Sequence, residues 1–476
     1  MNSSHSLVVL RKLGVYENYF LTGECLYGYG TMMNYTMVSS KKEITDTQMR
    51  EAFRKLQRKQ SAMRTVVRMV DGEAFFVEVA PEVKIPFAIL ELRGRDWQVI
   101  MEREQEERFN VEESLWRAKL LKSDQQLESG SVTYYYSFIF AFHHCLFDGT
   151  SIRFGVMRYL LDYLEEAVCG ELESPLGEAL PILPPREEVN AYSRITYWDK
   201  LVAKLSSLWK STDKVCHPMV IRLQQLHPPI NPEPLTGLVC FELSEEQTAA
   251  LVREGRARDV KVNGFCIATF AVATYKFFRQ IGVQTSDTLS LKPCFIVDLR
   301  KFATPCFAPD QAAPITSCCY IQADVGDWAT ANSADNNDAF WAFAKSLHLQ
   351  SHAKIRKGEH FKYQRQFDSY YQAVGGDPEA FFEDNPLIRT HVFWGSNIGN
   401  FKGNALGRED PSVTVVRTHN IIADGLTGQT PFTYNFCTLQ GRMQFTLTYS
   451  KLIVSKELAE DYGALWKETL IETCAV

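Results

Sequence analysis

Apolar residues in this chain recur with a helical period in some stretches and run almost unbroken in others, and the two patterns divide it into elements. Met49, Ala52, Phe53 and Leu56 fall at i, i+3, i+4 and i+7, which predicts a helix over 45–60 capped by Thr45 or Asp46. It runs into Ser61-Ala62-Met63-Arg64-Thr65 and then a hairpin turning on Asp71-Gly72. Residues 132–142 (VTYYYSFIFAF) are dominated by β-branched and aromatic side chains, so a central strand buried on both faces is expected. Ile152, Val156, Leu160, Leu164 and Val168 then recur every four residues, which predicts a helix directly after it. Residues 34–38 read as a further strand, and the charge-dense stretch 96–109 as a solvated helix without chemistry.

Two proline clusters, PILPPREE and HPPINPEP, bracket an amphipathic middle, YWDKLVAKLSSLWK. Proline resists helix and central strand, so this region reads as a crossover between halves. Trp198, Leu201, Leu205 and Trp209 form an apolar stripe on it, expected to pack on the parent domain rather than touch a membrane. Beyond it come a strand over 239–243, a helix over 244–256, and a helix capped by Asn263 that is apolar nearly all round (GFCIATFAVATYKFFRQ). Strands over VTVVRT and a hairpin across Gln440-Gly441 follow, with a last helix from Ser455. The expected division is an N-terminal subdomain over 1–180, the crossover over 181–235 and a C-terminal subdomain over 236–476.

The predicted strand 132–142 is followed at once by His143 and His144, and Asp148-Gly149 comes four residues after the second histidine. Imidazole, with an ordinary pKa of about 6.5, suits a base working near neutral pH. Gly149 is expected to take a backbone conformation closed to other residues and so hold Asp148 back toward the histidine.

The order His-His-x-x-x-Asp-Gly, at the mouth of a buried strand and before a helical pattern, resembles the active-site motif of the chloramphenicol acetyltransferase-like superfamily. That superfamily includes nonribosomal-peptide condensation domains, plant acyltransferases and fungal alcohol acetyltransferases. The resemblance implies an α/β protein of two similar subdomains, mixed sheets with helices, set as a V with the active site in a tunnel between them. It implies His144 as general base, His143 packed or hydrogen-bonded behind it, and Asp148 as structural support fastened by an arginine rather than a proton relay. Arg64, at the helix-to-hairpin junction, is the first candidate for that arginine, and Arg300, in Val297-Asp298-Leu299-Arg300, the second. Arg11-x-Leu13-Gly14-x-x-Glu17 and Ser396-Asn397-x-Gly399 are similar to elements of the fungal alcohol acetyltransferases, whereas the Asp-Phe-Gly-Trp-Gly motif of the plant branch is absent. Thr316-Ser317-Cys318-Cys319-Tyr320 stands where family members often carry an Asn-Tyr strand. Ser396 and Asn397 are the candidate oxyanion donors.

The implied activity is transfer of an acyl group, acetyl first, from coenzyme A to a small alcohol or amine without a covalent acyl-enzyme. No bound cofactor and no metal are expected; acyl-CoA is the cosubstrate. Two other readings compete: a protein of this fold that only binds a ligand or partner, and a thiol hydrolase built on Cys145. The second is disfavoured because neighbours on an extended strand point to opposite faces, which separates His144 from Cys145.

The chain has 476 residues, 45% hydrophobic and 23% charged, with a net charge of -6, an ordinary globular balance. Without a basic stripe or zinc-finger spacing, nucleic acid is not an expected partner. Twelve cysteines without a CxxC, and only Cys318 and Cys319 adjacent, fit reduced thiols. His348 and His352 sit four apart on a predicted helix but lack an intervening Glu, so they read as a solvated face. No apolar run reaches the ~18 residues of a membrane span, and MNSSHSLVVL shows no cleavage pattern. A cytoplasmic monomer is the expectation.

Overall fold

The computed structural model describes residues 8–80, 85–91, 97–128, 131–171, 175, 177–208, 218–226, 235–283, 286–330, 335–377, 381, 393–404, 409–423 and 430–473. The chain forms two compact units: Met1–Ile195 with Asp298–Thr316 and Lys402–Ala423, and Thr196–Val297 with Ser317–Phe401 and Asp424–Val476. In place of linear cuts at 180 and 235, the chain returns twice to the first unit. The first return carries Arg300 and the second carries an edge strand of its main sheet.

In the first unit β1 (Val8–Lys12) leads into α1 (Val15–Tyr27), β2 (Thr31–Ser40) and α2 (Asp46–Lys59). Thr45 and Gln48 cap α2 reciprocally, and Met49, Ala52, Phe53 and Leu56 are buried as their spacing predicts. The hairpin of β3 (Thr65–Val70) and β4 (Glu73–Glu78) turns on Asp71 and Gly72, both at positive φ (51° and 81°). Next come β5 (Phe87–Leu90), α3 (Trp97–Glu104), β6 (Trp116–Glu128), β7 (Ser131–His143) and α4 (Arg158–Cys169). With β14 (Val413–Ile422), from the second return, the main sheet runs β14-β2-β7-β6-β5; β1, β4 and β3 form a smaller sheet. β7 is the middle strand, and Phe138, Ile139, Phe140, Ala141 and Phe142 are all buried, whereas Val132 is exposed and 133–136 are half-buried, so burial on both faces holds for the half of the run that leads to the histidines.

The stretch 96–109 departs from the solvated helix expected of it. Of its described residues only Trp97–Glu104 is helical, Trp97 stacks on Tyr35 at 3.9 Å, and buried Glu104 takes Arg117 at 3.0 Å and Lys119 from the sheet. Its charge is used for pairing as well as for solvation.

Between β7 and α4, residues Ser151–Met157 wind as a π-helix. On an ideal α-helix a four-residue row rotates by about 40° per step. A π segment has more residues per turn and rotates the row the other way. The two together keep Ile152, Val156, Leu160, Leu164 and Val168 buried. Gly155 lies in this segment because nothing larger fits: a Cβ there would stand 2.7 Å from Asp310 O and 3.0 Å from Gln60 Nε2. Gln60 Nε2 donates to both Gly155 O (2.7 Å) and Asp310 O (2.8 Å), clamping the first return onto the helix. Gly155→Ala should therefore lower stability by ~1–3 kcal/mol, the usual cost of overpacking. Urea unfolding checks this, and an unchanged midpoint would show that the clamp has room to give.

The second unit opens with α5 (Tyr197–Leu208) and α6 (Pro218–Leu226), followed by β8 (Thr236–Glu242), α7 (Glu245–Ala257) and α8 (Val262–Gln280). After β9 (Thr288–Leu291), β10 (Cys294–Asp298), β11 (Thr316–Tyr320) and β12 (Ala323–Gly326) come α9 (Asp335–Arg356) and α10 (Glu359–Ala373). β13 (Phe393–Phe401), β15 (Phe432–Leu439), β16 (Arg442–Ser450) and α11 (Lys456–Glu472) complete it. Its main sheet, β11-β10-β13-β15-β16-β8, is parallel from β10 to β15 and antiparallel from β15 to β8, a mixed sheet as expected. α8 is buried almost all round, with Phe270 meeting Trp466 of α11 edge-on at 4.9 Å. It begins one residue before Asn263, with Lys261 at the cap position.

The stripe on α5 packs on the parent domain only in part, through half-buried Leu201. α5 lies on α10 with Ala203 buried, but Trp198 is 68% and Leu205 58% exposed; Trp209 is outside the described residues. Among the described residues no helix is long and apolar enough to cross a membrane.

Candidate active site

β7 ends at His143, whose N–H donates to Leu115 O at 2.8 Å, and the chain turns over the next three residues. The His143 ring is fully buried: Nδ1 accepts the Cys145 N–H at 3.1 Å, and Nε2 lies 3.8 Å from buried Glu24. Burial lowers its pKa to about 3, so it is a neutral prop for the turn.

His144 is set differently. Its Nδ1 lies 2.7 Å from Phe147 O, and a carbonyl can only accept, so Nδ1 carries the proton and Nε2 the lone pair. No hydrogen bond to Nε2 is made among the described residues. The ring stacks on Phe20 at 3.9 Å, meets Tyr16 edge-on at 6.5 Å and retains 8% exposure. Burial brings its pKa down to about 4 against the upward pull of Asp148 and of the Phe147 carbonyl; Arg186 adds to the lowering. At neutral pH the ring is an uncharged acceptor.

Asp148 is buried and fully engaged. Oδ1 accepts Ser151 N–H (2.8 Å) and Ser151 Oγ–H (2.7 Å), while Asp148 N–H donates to Ser151 Oγ (2.8 Å), a reciprocal cap on the helical segment that follows. Arg300 grips both oxygens, Nη1 to Oδ2 at 2.7 Å and Nη2 to Oδ1 at 3.1 Å, and Ile315 N–H adds a contact to Oδ2 at 3.2 Å. Burial alone would raise this carboxyl, but Arg300 and the Ser151 bonds hold it below the usual carboxylate range. The partner of Asp148 is thus Arg300, the second candidate, and not Arg64. Arg64 closes back on the end of α2, donating to Gln57 O and to Arg58 O (2.9 Å), and pairs with Glu78. Those carbonyls have no partner inside the helix, which is why the arginine of the junction serves them. Gly149 also differs from expectation: it has no positive φ and opens the helical segment, so the turn is made at 144–146 without it.

Sequence reasoning missed the residues that pack on His144, Tyr16 and Phe20, and Arg186, whose charge acts on the ring from beside Tyr16. Arg186 lies over the Tyr16 ring at 3.3 Å and donates to Thr316 O at 3.0 Å. The Arg11-x-Leu13-Gly14-x-x-Glu17 element held a signal for them. Glu17 accepts from Arg11 (2.6 and 2.7 Å) and from Gly14 N–H (2.6 Å), while Arg11 donates to Leu183 O (2.8 Å). A Cβ at Gly14 would stand 2.4 Å from Pro185 Cβ, so the glycine allows that close approach. This lock fixes the start of α1, the helix that carries Tyr16 and Phe20 to the imidazole.

Ser396 and Asn397 lie in the second unit on β13. Asn397 is exposed and its Oδ1 accepts Gly399 N–H at 2.8 Å, at a register shift in the pairing with β15. Cys145 lies in the turn rather than on the strand, so opposite faces do not decide its case. Burial does: the thiol is fully enclosed and its pKa is pushed well above the ordinary value, which leaves no thiolate for a nucleophile. His348 and His352 meet edge-on at 4.4 Å, and no group of three or more metal-ligating side chains gathers among the described residues.

Residues 233–333 match the family described as phthiocerol/phthiodiolone dimycocerosyl transferase C-terminus; the match includes Arg300 but not the histidine motif. No curated protein matches the chain. Trichothecene 15-O-acetyltransferase from Fusarium sporotrichioides is similar in structure, with 12% identity, 99% of this chain and 97% of that one covered, and a TM-score of 0.66. The first condensation domain of the CDA synthetase matches with 12% identity, coverage of 100% and 97%, and a TM-score of 0.65. The chain has a condensation-domain fold. Polyketide synthase associated protein 5 from Mycobacterium tuberculosis shares it, at 15% identity, 99% coverage of both chains and a TM-score of 0.62. These structural relatives thus include an acyltransferase as well as a condensation domain.

Proposed function

We propose that the protein is an acyltransferase that moves an acyl group, acetyl first, from coenzyme A to a small alcohol or amine, with His144 as general base. The observation that carries this reading is the state of His144: its one proton is held by Phe147 O, which leaves Nε2 as a neutral acceptor. Nε2 takes the proton of the acceptor O–H or N–H as that atom attacks the thioester carbonyl. The tetrahedral intermediate then expels the thiolate as the C–S bond breaks, and the proton passes from Nε2 to sulfur. One base serves both steps, so no acyl-enzyme forms. Asp148 and Arg300 hold the loop that presents the ring. The oxyanion role is assigned to Ser396 or Asn397; Asn397 Oδ1 is engaged by Gly399 N–H, so its amide N–H groups are the donors it offers. The fungal relative and the Arg11 to Glu17 element support an alcohol as acceptor, and free coenzyme A is the donor to try before carrier-bound thioesters.

Release of free thiol from short acyl-CoAs in the presence of mixed alcohols and amines tests the reading, with His144→Ala as control. Thiol release that needs an acceptor and is lost in His144→Ala supports it. A protein that binds acyl-CoA or alcohol but releases no thiol with any pair would instead be a binding member of this fold.

The acid limb of kcat/KM should fall near the lowered pKa of His144, about 4, rather than at the ordinary 6.5. The ring must be neutral to accept, so activity holds as pH drops through 6 and 5 and fails only below that. A pH–rate profile bending near 6.5 would show that the free protein does not keep the ring desolvated.

A further inference from the structure

Helix α5 turns its most apolar side away from the protein. At about 100° per residue, Tyr197, Leu208, Leu201, Leu205, Trp198 and Val202 succeed one another round an arc of about 140°, with Ala203 and Asp199 on the opposite side. Ala203 is buried as α5 lies on α10, and Tyr197, Trp198, Val202, Leu205 and Leu208 are all exposed. The roll of the helix is fixed: Asp199 Oδ2 accepts Arg365 Nε–H of α10 at 3.0 Å and caps Thr196 N–H at 2.9 Å. The arc therefore cannot rotate inward without breaking that ion pair. Lys200 and Lys204 stand exposed at one margin of the arc, and the single carboxylate of α5, Asp199, is turned to Arg365, so the charge shown to solvent is positive.

We propose that α5 docks the protein on an anionic phospholipid surface, lying flat with its apolar arc among the headgroups and Lys200 and Lys204 reaching the phosphates. Aromatic residues at one end, leucines along the arc and lysines at its edge are what an interfacial helix requires, and long lysine stems can extend past apolar contacts to a charged layer. Size also argues for a lipid surface. A helix of 12 residues is only ~18 Å long and ~10 Å wide. One face of it presents a few hundred Å², short of the ~800 Å² per partner of a stable protein interface. Shallow insertion into a lipid layer has no such minimum, and α5 is too short to span one, which takes ~20 residues. The inference is independent of the acyl-transfer reading.

The test is co-sedimentation of the full chain with vesicles of phosphatidylcholine containing phosphatidylserine, and with phosphatidylcholine alone. Binding to the anionic vesicles is expected, weakened by salt and reduced about tenfold or more by the pair Trp198→Ser and Leu205→Gln. Lys200→Glu with Lys204→Glu should abolish the preference for the anionic vesicles. Both pairs should keep the wild-type melting temperature and the wild-type thiol release with soluble substrates. Wild-type protein that sediments with neither vesicle overturns the proposal, as does equal binding by the Trp198→Ser, Leu205→Gln variant. So does a monomer–dimer equilibrium in analytical ultracentrifugation that this variant abolishes, which would give the face to a second copy of the chain.

Discussion

Replacing His144 with alanine should lower acyl transfer by ~10²- to 10⁴-fold, the usual worth of a general base, in a protein that stays folded. Among the described residues the ring makes one hydrogen bond, to Phe147 O, and it stacks on Phe20, so its removal leaves no buried charge behind. His143→Ala should behave in the opposite way. That ring is fully buried and its Nδ1 is taken by Cys145 N–H, so the loss is felt in stability, while measurable activity remains. His143→Asn, whose amide oxygen can accept the same N–H, should recover part of that stability. Single-turnover rates beside urea melts of the three variants separate the two roles. Equal losses of rate in well-folded His144→Ala and His143→Asn would sink the assignment of the base.

The candidate site was legible where one stretch of sequence contains both the strand and the histidines at its end. Of residues 132–142, expected to be buried on both faces, 137–142 are buried in the middle strand of the sheet while Val132 is exposed and 133–136 are half-buried; the place of the histidines follows from where the buried run stops. What surrounds them was harder to read because it comes from elsewhere in the chain. Arg64 and Arg300 are both arginines at the ends of short elements, and sequence offers no way to see that Arg64 is occupied by the unpaired carbonyls of α2. Gly149 invited a turn, yet the turn forms earlier because His143 Nδ1 and His143 O collect the N–H groups of residues 145–147. Its neighbour Asp148 then starts a helix with Ser151, a pairing of two residues three apart that the sequence does display. Phe20 and Tyr16 were hidden because an aromatic on a helix announces burial, not what it is buried against. The apolar run of α5 was read as packing for the same reason, and only the fold shows the face exposed.

Asp148→Asn and Arg300→Met should each cost ~3–5 kcal/mol of stability, as one-sided loss of a buried ion pair does, and each should lower turnover. The geometry gives the reason. In Asp148→Asn the new amide oxygen could still cap Ser151, but the NH₂ would face Arg300 Nη1 and Ile315 N–H, donor against donors. Arg300→Met would leave both Asp148 oxygens short of their guanidinium and free the carbonyls of Ala313 and Gln311 that Arg300 also holds. The two changes remove one interaction, so the double variant should be well short of additive. Arg64→Met shares no partner with Asp148 and should add to Asp148→Asn in full. Acid supplies a second readout. The carboxyl of Asp148 titrates lower folded than unfolded, so its contribution is present above the ordinary carboxylate range and is lost as pH falls through the folded value. The stability gap between wild type and Asp148→Asn should therefore narrow as pH falls below about 4 and stay constant from there to neutrality. Additive losses from Asp148 and Arg300, or a gap indifferent to acid, would mean that the pair does not hold the loop on which His144 sits.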